Sequence, residues 1–446
     1  MGNILPKNWV KIELGKILKL KNGYAFKSKD YLDEGVPLIR ISNIQQGKVS
    51  TEKSIYVSKK DAAEDFIVQK GDILVAMSGA TTGKYGVFNE DLKAYQNQRV
   101  GNLKPLVPSL TSRQFIYYLL GGLQKEIEDK AYGGAQPNIS PKLIETIQVG
   151  FPPLKEQQRI VAKLDTLFTH LEVLNTRLET IPQLLKNFKQ AILTQAVTGK
   201  ITEEWRKGKD LEKWKMIVLK DVSERITVGY VGKMSDQYKE EGIPFLRSQN
   251  VRAFKYSSKN LLYVSEDFHN SILKSSLKSG DVAIVRSGYP GTACVIPEDL
   301  GVANCSDILI LTPKKGQLNS HFVTIFMNSD SGKRMVFQNR VGNAQQHFNT
   351  KTLQNTVLSL APIEEQTEIV KRVEALFAKA DKIESQYKIL KEKTDSLPQA
   401  ILSKAFKGEL VAQLPTDGSA KELLAEIQKL KAAVAPKKKT KKKVKV

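Results

Sequence analysis

The sequence predicts a mixed fold, α/β in the broad sense and of the α+β type. Two domains of short strands and helices are separated by two long antiparallel coiled-coil helices and related by a pseudo-two-fold internal repeat. Three observations carry this expectation. Most of the chain is written twice at one offset, each copy closes on a heptad-spaced stretch, and positive charge alternates with neutrality in step with both.

The repeat is the strongest of the three. Pro153-Leu-Lys-Glu-Gln157, followed by Ile160-Val161 and Leu167-Phe168, returns 209 residues later as Pro362-Ile-Glu-Glu-Gln366, Ile369-Val370 and Leu376-Phe377. Gln190-Ala-Ile-Leu193, Ala196 and Gly199 return at the same offset as Gln399-Ala-Ile-Leu402, Ala405 and Gly408. Gly71-Asp72 and Ser78-Gly79 match Gly280-Asp281 and Ser287-Gly288, and Gly133, Ala135 and Gln136 match Gly342, Ala344 and Gln345. Toward each start the offset drifts to 205–207, pairing Trp9 with Trp214, Gly35-Val-Pro37 with Gly242-Ile-Pro244, and Arg40 and Asn43 with Arg247 and Asn250. Matched positions are largely Gly, Pro and apolar, the residues a fold needs for turns and core, while the stretches between them differ freely. One scaffold is used twice with different surfaces.

The elements follow in chain order. Residues 1–152 form a first mixed domain, with Val36–Ile41 and Asp72–Met77 as short strands and Phe115–Leu120 as a helix segment. Residues 153–205 are helical: Ile160, Leu164, Leu167, Leu171, Leu174, Leu178 and Ile181 keep a strict 4,3 spacing. A stripe every 3.5 residues is a coiled-coil seam that requires a partner helix of the same spacing. Residues 206–361 repeat the mixed domain, with Asp281–Arg286 as a strand and His321–Phe326 as a helix segment. Residues 362–412 repeat the helical region, its seam being Ile369, Val373, Leu376, Ala380, Ile383, Tyr387 and Leu390. The two seams are expected to cover each other. Pro182 and Pro398 should end the long helices, and Gly199 and Gly408 the shorter ones behind them. Residues 413–446 hold a helix near Lys421–Ala433 and a lysine-rich tail whose charge opposes folding.

Charge separates these regions by function. The net is +6 over 1–152, +1 over 153–205, +8 over 206–361, 0 over 362–412 and +7 over 413–446, within a total of +22. Two basic domains favour a polyanion, since each Lys or Arg set on a phosphate releases a counterion. The two cysteines, Cys294 and Cys305, are too few for a disulfide framework and fit reduced core thiols in the cytoplasm. The N-terminal residues lack an apolar signal core, Pro6 breaks a myristoylation pattern, and no apolar run reaches the ~18 residues of a membrane span.

Enzyme motifs fail on inspection. Ser78-Gly-Ala-Thr-Thr-Gly-Lys84 lacks the opening glycine of a phosphate loop and has Tyr85 where a magnesium-binding hydroxyl belongs. Gly150-Phe-Pro-Pro-Leu154 lacks both the amide and the aromatic of an amino-methyltransferase signature. His170, His269, His321 and His347 show no ligand spacing. The chain is expected to be no enzyme and to hold no metal.

Two in-register copies of Pro-Leu/Ile-x-Glu-Gln-x-x-Ile-Val, each closed by Gln-Ala-Ile-Leu-x-x-Ala-x-x-Gly, resemble the conserved regions of specificity subunits of type I restriction–modification systems. The Gly-Asp, Ser-Gly and Gly-x-Ala-Gln landmarks resemble those of the family's target-recognition domains, so the likeness spans 1–412. It implies that each recognition domain reads one half of a bipartite site in double-stranded DNA. The helical regions would set the spacing and hold two methyltransferase (modification) subunits, which restriction subunits join. S-adenosylmethionine, ATP and Mg2+ would sit on those partners, with no cofactor in this chain. The competing expectation is a coiled-coil scaffolding protein without DNA specificity, which the basic domains fit poorly.

DNA contacts are expected from Arg40, Asn43, Arg247 and Asn250, which follow equivalent strands, and from Gln249 and Arg252 beside the second pair. Arg bridges two acceptors on guanine, and Asn or Gln bridges an acceptor and a donor on adenine. Tyr132, Gln136, Gln345, Gln346 and His347, in matching glycine-containing loops, are second-rank candidates. Matched Arg and Asn residues also suit turn-capping in the shared scaffold. Val161, Phe168, Val370 and Phe377, next to the seams, are candidates for methyltransferase contact, or else widen the intramolecular core.

Overall fold

A computed structural model describes residues 5–45, 47–131, 137–338 and 348–434. It divides into two compact units, Met1–Arg177 with Leu390–Val446, and Leu178–Ile389. Five helices matter below: α1 (Arg113–Ala131), α2 (Leu154–Val197), α3 (Ser320–Asn328), α4 (Ile363–Phe406) and α5 (Ala420–Val434).

In the first unit the apolar run Asp72–Ala76 is buried on both faces, because it lies inside a six-stranded sheet between Val100–Pro105 and Tyr85–Phe88. Both neighbours are antiparallel to it. Helix α1 covers this sheet, setting Phe115, Ile116, Leu119 and Leu120 against Ile73, Val75 and Leu103. A five-stranded sheet, ordered Tyr31–Leu32, Ile55–Val57, Val36–Ile39, Ala94–Gln96, Ile67–Val68, packs Leu38, Val57 and Tyr95 around Phe26.

The second unit repeats this order. Val282–Val285 lies between Ile308–Pro313 and Ala293–Val295, and Ser223–Val228 takes the edge that Leu18–Asn22 holds in the first unit. Its five-stranded sheet, from Tyr238–Lys239 to Ser276–Leu277, matches strand for strand. Helix α3 fills the place of α1, with Phe322, Val323 and Ile325 against Val282, Ile284, Leu309 and Leu311. The sequence repeat is a structural one.

Helices α2 and α4 are each 44 residues long and run straight through Pro182 and Pro398, contrary to the expected breaks. A proline forfeits one backbone hydrogen bond and crowds the preceding turn, usually kinking a helix. Here each helix is anchored by packed turns at both ends. Gly199 and Gly408 do terminate the chain's helical course, at φ of +75° and +77°, a conformation that costs a residue with a Cβ.

Within each unit the two long helices are antiparallel, the start of one lying against the end of the other. In the first unit Ile160 and Leu164 cluster with Leu402, Ala405, Trp9 and Tyr118. In the second, Ile192, Leu193 and Ala196 cluster with Ile369, Val370 and Val373. The expected cover of the 160–181 seam by 369–390 is therefore corrected: the partners of Ile160 and Leu164 lie beyond Pro398. Along α2 the seam holds, with Ile160, Leu164, Leu171 and Leu178 buried and Leu167 and Leu174 half-buried. Along α4, Ile369 and Val373 are buried and Leu376 and Tyr387 half-buried, but Ile383 and Leu390 are exposed by 47% and 43%. A heptad drifts about 20° per repeat on a straight helix, so the buried stripe leaves those two positions behind. Half-buried Lys391 and buried Thr394, Leu402 and Ala405 continue it.

Residues after Gly408 close the first unit. Arg159 forms two hydrogen bonds with the buried Asp417 carboxylate at 2.5 and 2.7 Å, and α5 sets Ala420, Leu423 and Ile427 into the same core as α1. The expected helix near 421–433 is present, and the lysine run lies outside the described residues.

Candidate nucleic-acid interface

Strand Val36–Ile39 ends at Arg40, where the chain turns through a single 3-10 turn, Ile41–Asn43. The Asn43 carbonyl accepts from the Arg40 backbone N–H at 3.0 Å, and its amide donates to Ser50 O and Ser54 Oγ, each at 3.0 Å. Asn250 does the same in the second unit. It accepts from the Arg247 N–H at 3.0 Å and donates to Ser257 O at 2.9 Å and Lys259 O at 3.2 Å. Both asparagines are buried. Their amides are consumed by the turn, and neither can offer a donor–acceptor pair to a base edge; as base-contact candidates Asn43 and Asn250 are corrected.

What the asparagines position is the arginine before them. Arg40 and Arg247 are half-buried, each with a buried Nε that has no hydrogen-bond partner among the described residues. Arg247 donates from Nη2 to Asn260 O at 3.1 Å, beside the Tyr238 ring, and Gln249 donates to the same carbonyl at 3.3 Å. Arg252 is exposed on the hairpin Val251–Arg252/Lys255–Tyr256. Tyr132, Gln136, Gln345, Gln346 and His347 lie outside the described residues.

In the first unit the Ser-Gly turn stands next to the arginine turn. Gly79 has φ +77°, and a Cβ there would meet the Ile41 side chain at 3.4 Å. Its N–H donates to Pro137 O at 2.9 Å. Beside Ser78 opens a cleft of about 660 Å3, lined also by Asn22, Gln98, Arg99 and Asn138. Amide, guanidinium and hydroxyl groups set on turns at one place are the chemistry that reads base edges. In the second unit the corresponding turns carry Arg286 and Tyr289, the latter 81% exposed. Sequence comparison passes over Gln98, Arg99, Arg286 and Tyr289 because none recurs at the repeat offset.

Val161, Phe168, Val370 and Phe377 pack against their own domains, as the alternative expectation of a widened core has it, with Val370 buried and the other three half-buried. Phe168 stacks on Tyr118 at 5.5 Å, Phe377 sits edge-on to Phe254 at 5.2 Å, and Val161 and Val370 pack into the cores. The exposed apolar side chains of the long helices are others. They include Leu184, Phe188, Ile383 and Ile389 in the second unit, and Val173, Leu390 and Leu397 in the first.

The buried thiols offer no nucleophile: burial pushes Cys294 up to about 12 and Cys305 higher still. His269 is buried with its Nδ1 3.1 Å from the Asn304 amide. Among the described residues, no three His, Cys, Asp or Glu side chains gather as metal ligands, and no helix is long and apolar enough to cross a membrane.

Comparison with known proteins places these features. The family model described as "Type I restriction modification DNA specificity domain" matches twice, over residues 6–183 and 211–392. The type I restriction enzyme EcoKI specificity subunit of Escherichia coli strain K12 is 31% identical, over 98% of this chain and 99% of the relative. The EcoBI specificity subunit of Escherichia coli is 30% identical, over 98% and 95%. Among solved structures, the HsdS subunit from Thermoanaerobacter tengcongensis shares the fold with a TM-score of 0.62 at 19% identity, covering 91% of this chain and 98% of that one. A chain from a type I R-M system studied for complex assembly and conformational transition gives 0.67 at 20% identity, covering 91% and 100%.

Proposed function

Because the chain belongs to the type I restriction–modification DNA specificity family, we propose that its two mixed domains each read one half of a bipartite duplex DNA target. The observation that carries this reading is one scaffold used twice, with different polar side chains on the same turns, in domains of net charge +6 and +8. Phosphate contacts from the basic surface supply affinity, and Arg40, Arg247, Gln98, Arg99 and Arg286 supply base contacts. The chain performs no chemistry. Methyltransferase subunits carry S-adenosylmethionine, restriction subunits carry ATP and Mg2+, and the assembly works on DNA in the cytoplasm.

The long helices recruit the methyltransferase subunits, one to each unit. Leu184 and Phe188 are one turn apart on α2 and leave apolar surface in water, as a docking face requires. Selection of bound sequences from randomised duplexes, with the full chain and its methyltransferase partners, tests the DNA reading. Arg247→Ala should relax one position of one half-site by about 1–3 kcal/mol; unchanged preference and affinity would remove Arg247 from the interface. Phe188→Asp should weaken one methyltransferase site in native mass spectrometry, and normal two-to-one assembly would count against that face.

A further inference from the structure

The two units differ most informatively at one short turn. In the first, the Tyr24 N–H donates to Gln96 O at 2.8 Å, Asn97 N–H to Ile39 O at 3.0 Å and Gly23 N–H to Val100 O at 3.2 Å. In the second, the Tyr230 N–H donates to Cys305 O at 2.8 Å, Ser306 N–H to Leu246 O at 3.0 Å and Gly229 N–H to Ile308 O at 2.8 Å. The same bonds bracket different contents: Asn97-Gln98-Arg99 in one, Ser306-Asp307 in the other. The strand facing each turn also differs at its end, Met77 standing where the second unit has Arg286.

Asp307 is an odd residue for this place. It is a half-buried carboxylate, 45% of its side chain in water, on a domain of charge +8, on the surface proposed to meet a polyanion. Its φ of +53° is left-handed, held by Ser248 Oγ donating to its backbone carbonyl at 3.0 Å. The Arg286 guanidinium stays 3.7 Å away, beyond hydrogen-bond length, and Arg286 Nε is buried without a partner among the described residues. An acid and a base are thus held side by side with bonding capacity unspent.

We propose that Arg286 and Asp307 together read a G·C base pair in the second half-site. Arg286 donates to guanine O6 and N7, and Asp307 accepts from the N4 amine of the paired cytosine. Phosphates repel a carboxylate, so an acid at this surface is tolerated where it meets an exocyclic amine. The first unit, with Gln98 and Arg99 at the same address, reads a different pair; this turn is one place where the half-sites diverge. The proposal rests on the reading of these domains as DNA-binding.

The test is sequence selection from randomised duplexes by the full chain with its methyltransferase subunits, comparing wild type, Asp307→Asn and Asp307→Ala. Asn also adopts positive φ, so the first variant keeps the turn. Asp307→Ala should relax the cytosine preference about tenfold at one pair, and Asp307→Asn, which keeps one acceptor but loses the charge, should relax it less, leaving the other half-site unchanged. A uniform gain in affinity for all sequences, with the preferred site unaltered, would show that Asp307 only repels phosphate and would overturn the proposal. Wild type selecting no sequence at all would instead defeat the DNA-specificity reading beneath it.

Discussion

Glu156 and Glu365 occupy the same place in the two repeats, the first turn of α2 and of α4, and both are wholly buried. Their surroundings are not equivalent. Glu365 accepts from Thr202 Oγ1 at 2.7 Å and Trp214 Nε1 at 3.0 Å, and forms an ion pair with Arg206. Glu156 accepts from Gln413 Nε2 at 3.1 Å, and its Oε2 and the Trp9 indole N–H interact without reaching full hydrogen-bond geometry. The position matching Arg206 at the repeat offset is Pro415, and the nearby Arg159 is taken by Asp417. Burial accordingly pushes the Glu156 carboxyl above its usual range, against the pull of Gln413 and Trp9. Removing one partner of a buried pair costs about 3–5 kcal/mol. Arg206 keeps a third of its side chain in water, so Glu365→Gln should cost about 2–3 kcal/mol, at ~2–4 °C per kcal/mol for a body this size. Glu156→Gln should be neutral or stabilising at pH 7. A raised pKa means that protonated Glu156 adds stability below its unfolded pKa, which is lost as pH rises through the folded value. The advantage of Glu156→Gln should therefore shrink on acidification. Thermal unfolding at pH 7 and pH 4.5, with hydrogen exchange at 154–160 and 363–369, measures both. Equal losses from the two substitutions, or a larger one from Glu156→Gln, would refute the asymmetry.

Pro182→Ala restores a backbone donor inside a continuous exposed turn and should stabilise the chain by about 1–3 kcal/mol, read as a rise in melting temperature; a fall would mean that the helix needs its proline. Arg159 holds the Asp417 carboxyl below its usual range, so this clasp contributes stability above the unfolded pKa of about 3.8 and loses it as pH falls through the lower folded value. Exchange protection of α5 should drop on that acidification, and at neutral pH in Asp417→Asn. Residues 1–205 alone should dimerise: Leu402 and Ala405, which cover Ile160 and Leu164, have Leu193 and Ala196 as their repeat equivalents, so a second copy can take their place. Sedimentation as a monomer would count against it.

The fold was legible wherever apolar periodicity ran unbroken. The α2 seam reads straight from the sequence because every position from Ile160 to Leu178 is Leu or Ile. In α4 the stripe passes through Lys391 and Thr394, polar residues that a hydrophobic template skips, while Ile383 and Leu390 satisfy the template and face water. The prolines misled for a different reason. Local rules price a lost hydrogen bond, but α2 and α4 are held at both ends by packing against separate cores, and tertiary contact outweighs the local cost.

Of the candidate residues, the sequence picks out those that recur and passes over those that differ. Residues identical in both copies stood out because they recur, and of these Asn43 and Asn250 prove to be turn caps of the shared scaffold. Two domains that read different half-sites must differ at some of their contacts, and a search for matches discards those. The sequence nonetheless holds one trace of where the copies diverge. Strand pairing keeps the offset at 209 through Gln96 and Cys305 but sets it to 208 along the strands that begin at Val100 and Ile308, as Val100 faces Ala76 and Ile308 faces Val285. The residue lost between them lies in the turn that holds Gln98 and Arg99 in one unit and Asp307 in the other. A core strand resists such a deletion, since slipping by one residue turns its buried side chains outward. A turn at a reading surface does not, so a break in the register of a repeat locates divergent surface better than any matched residue.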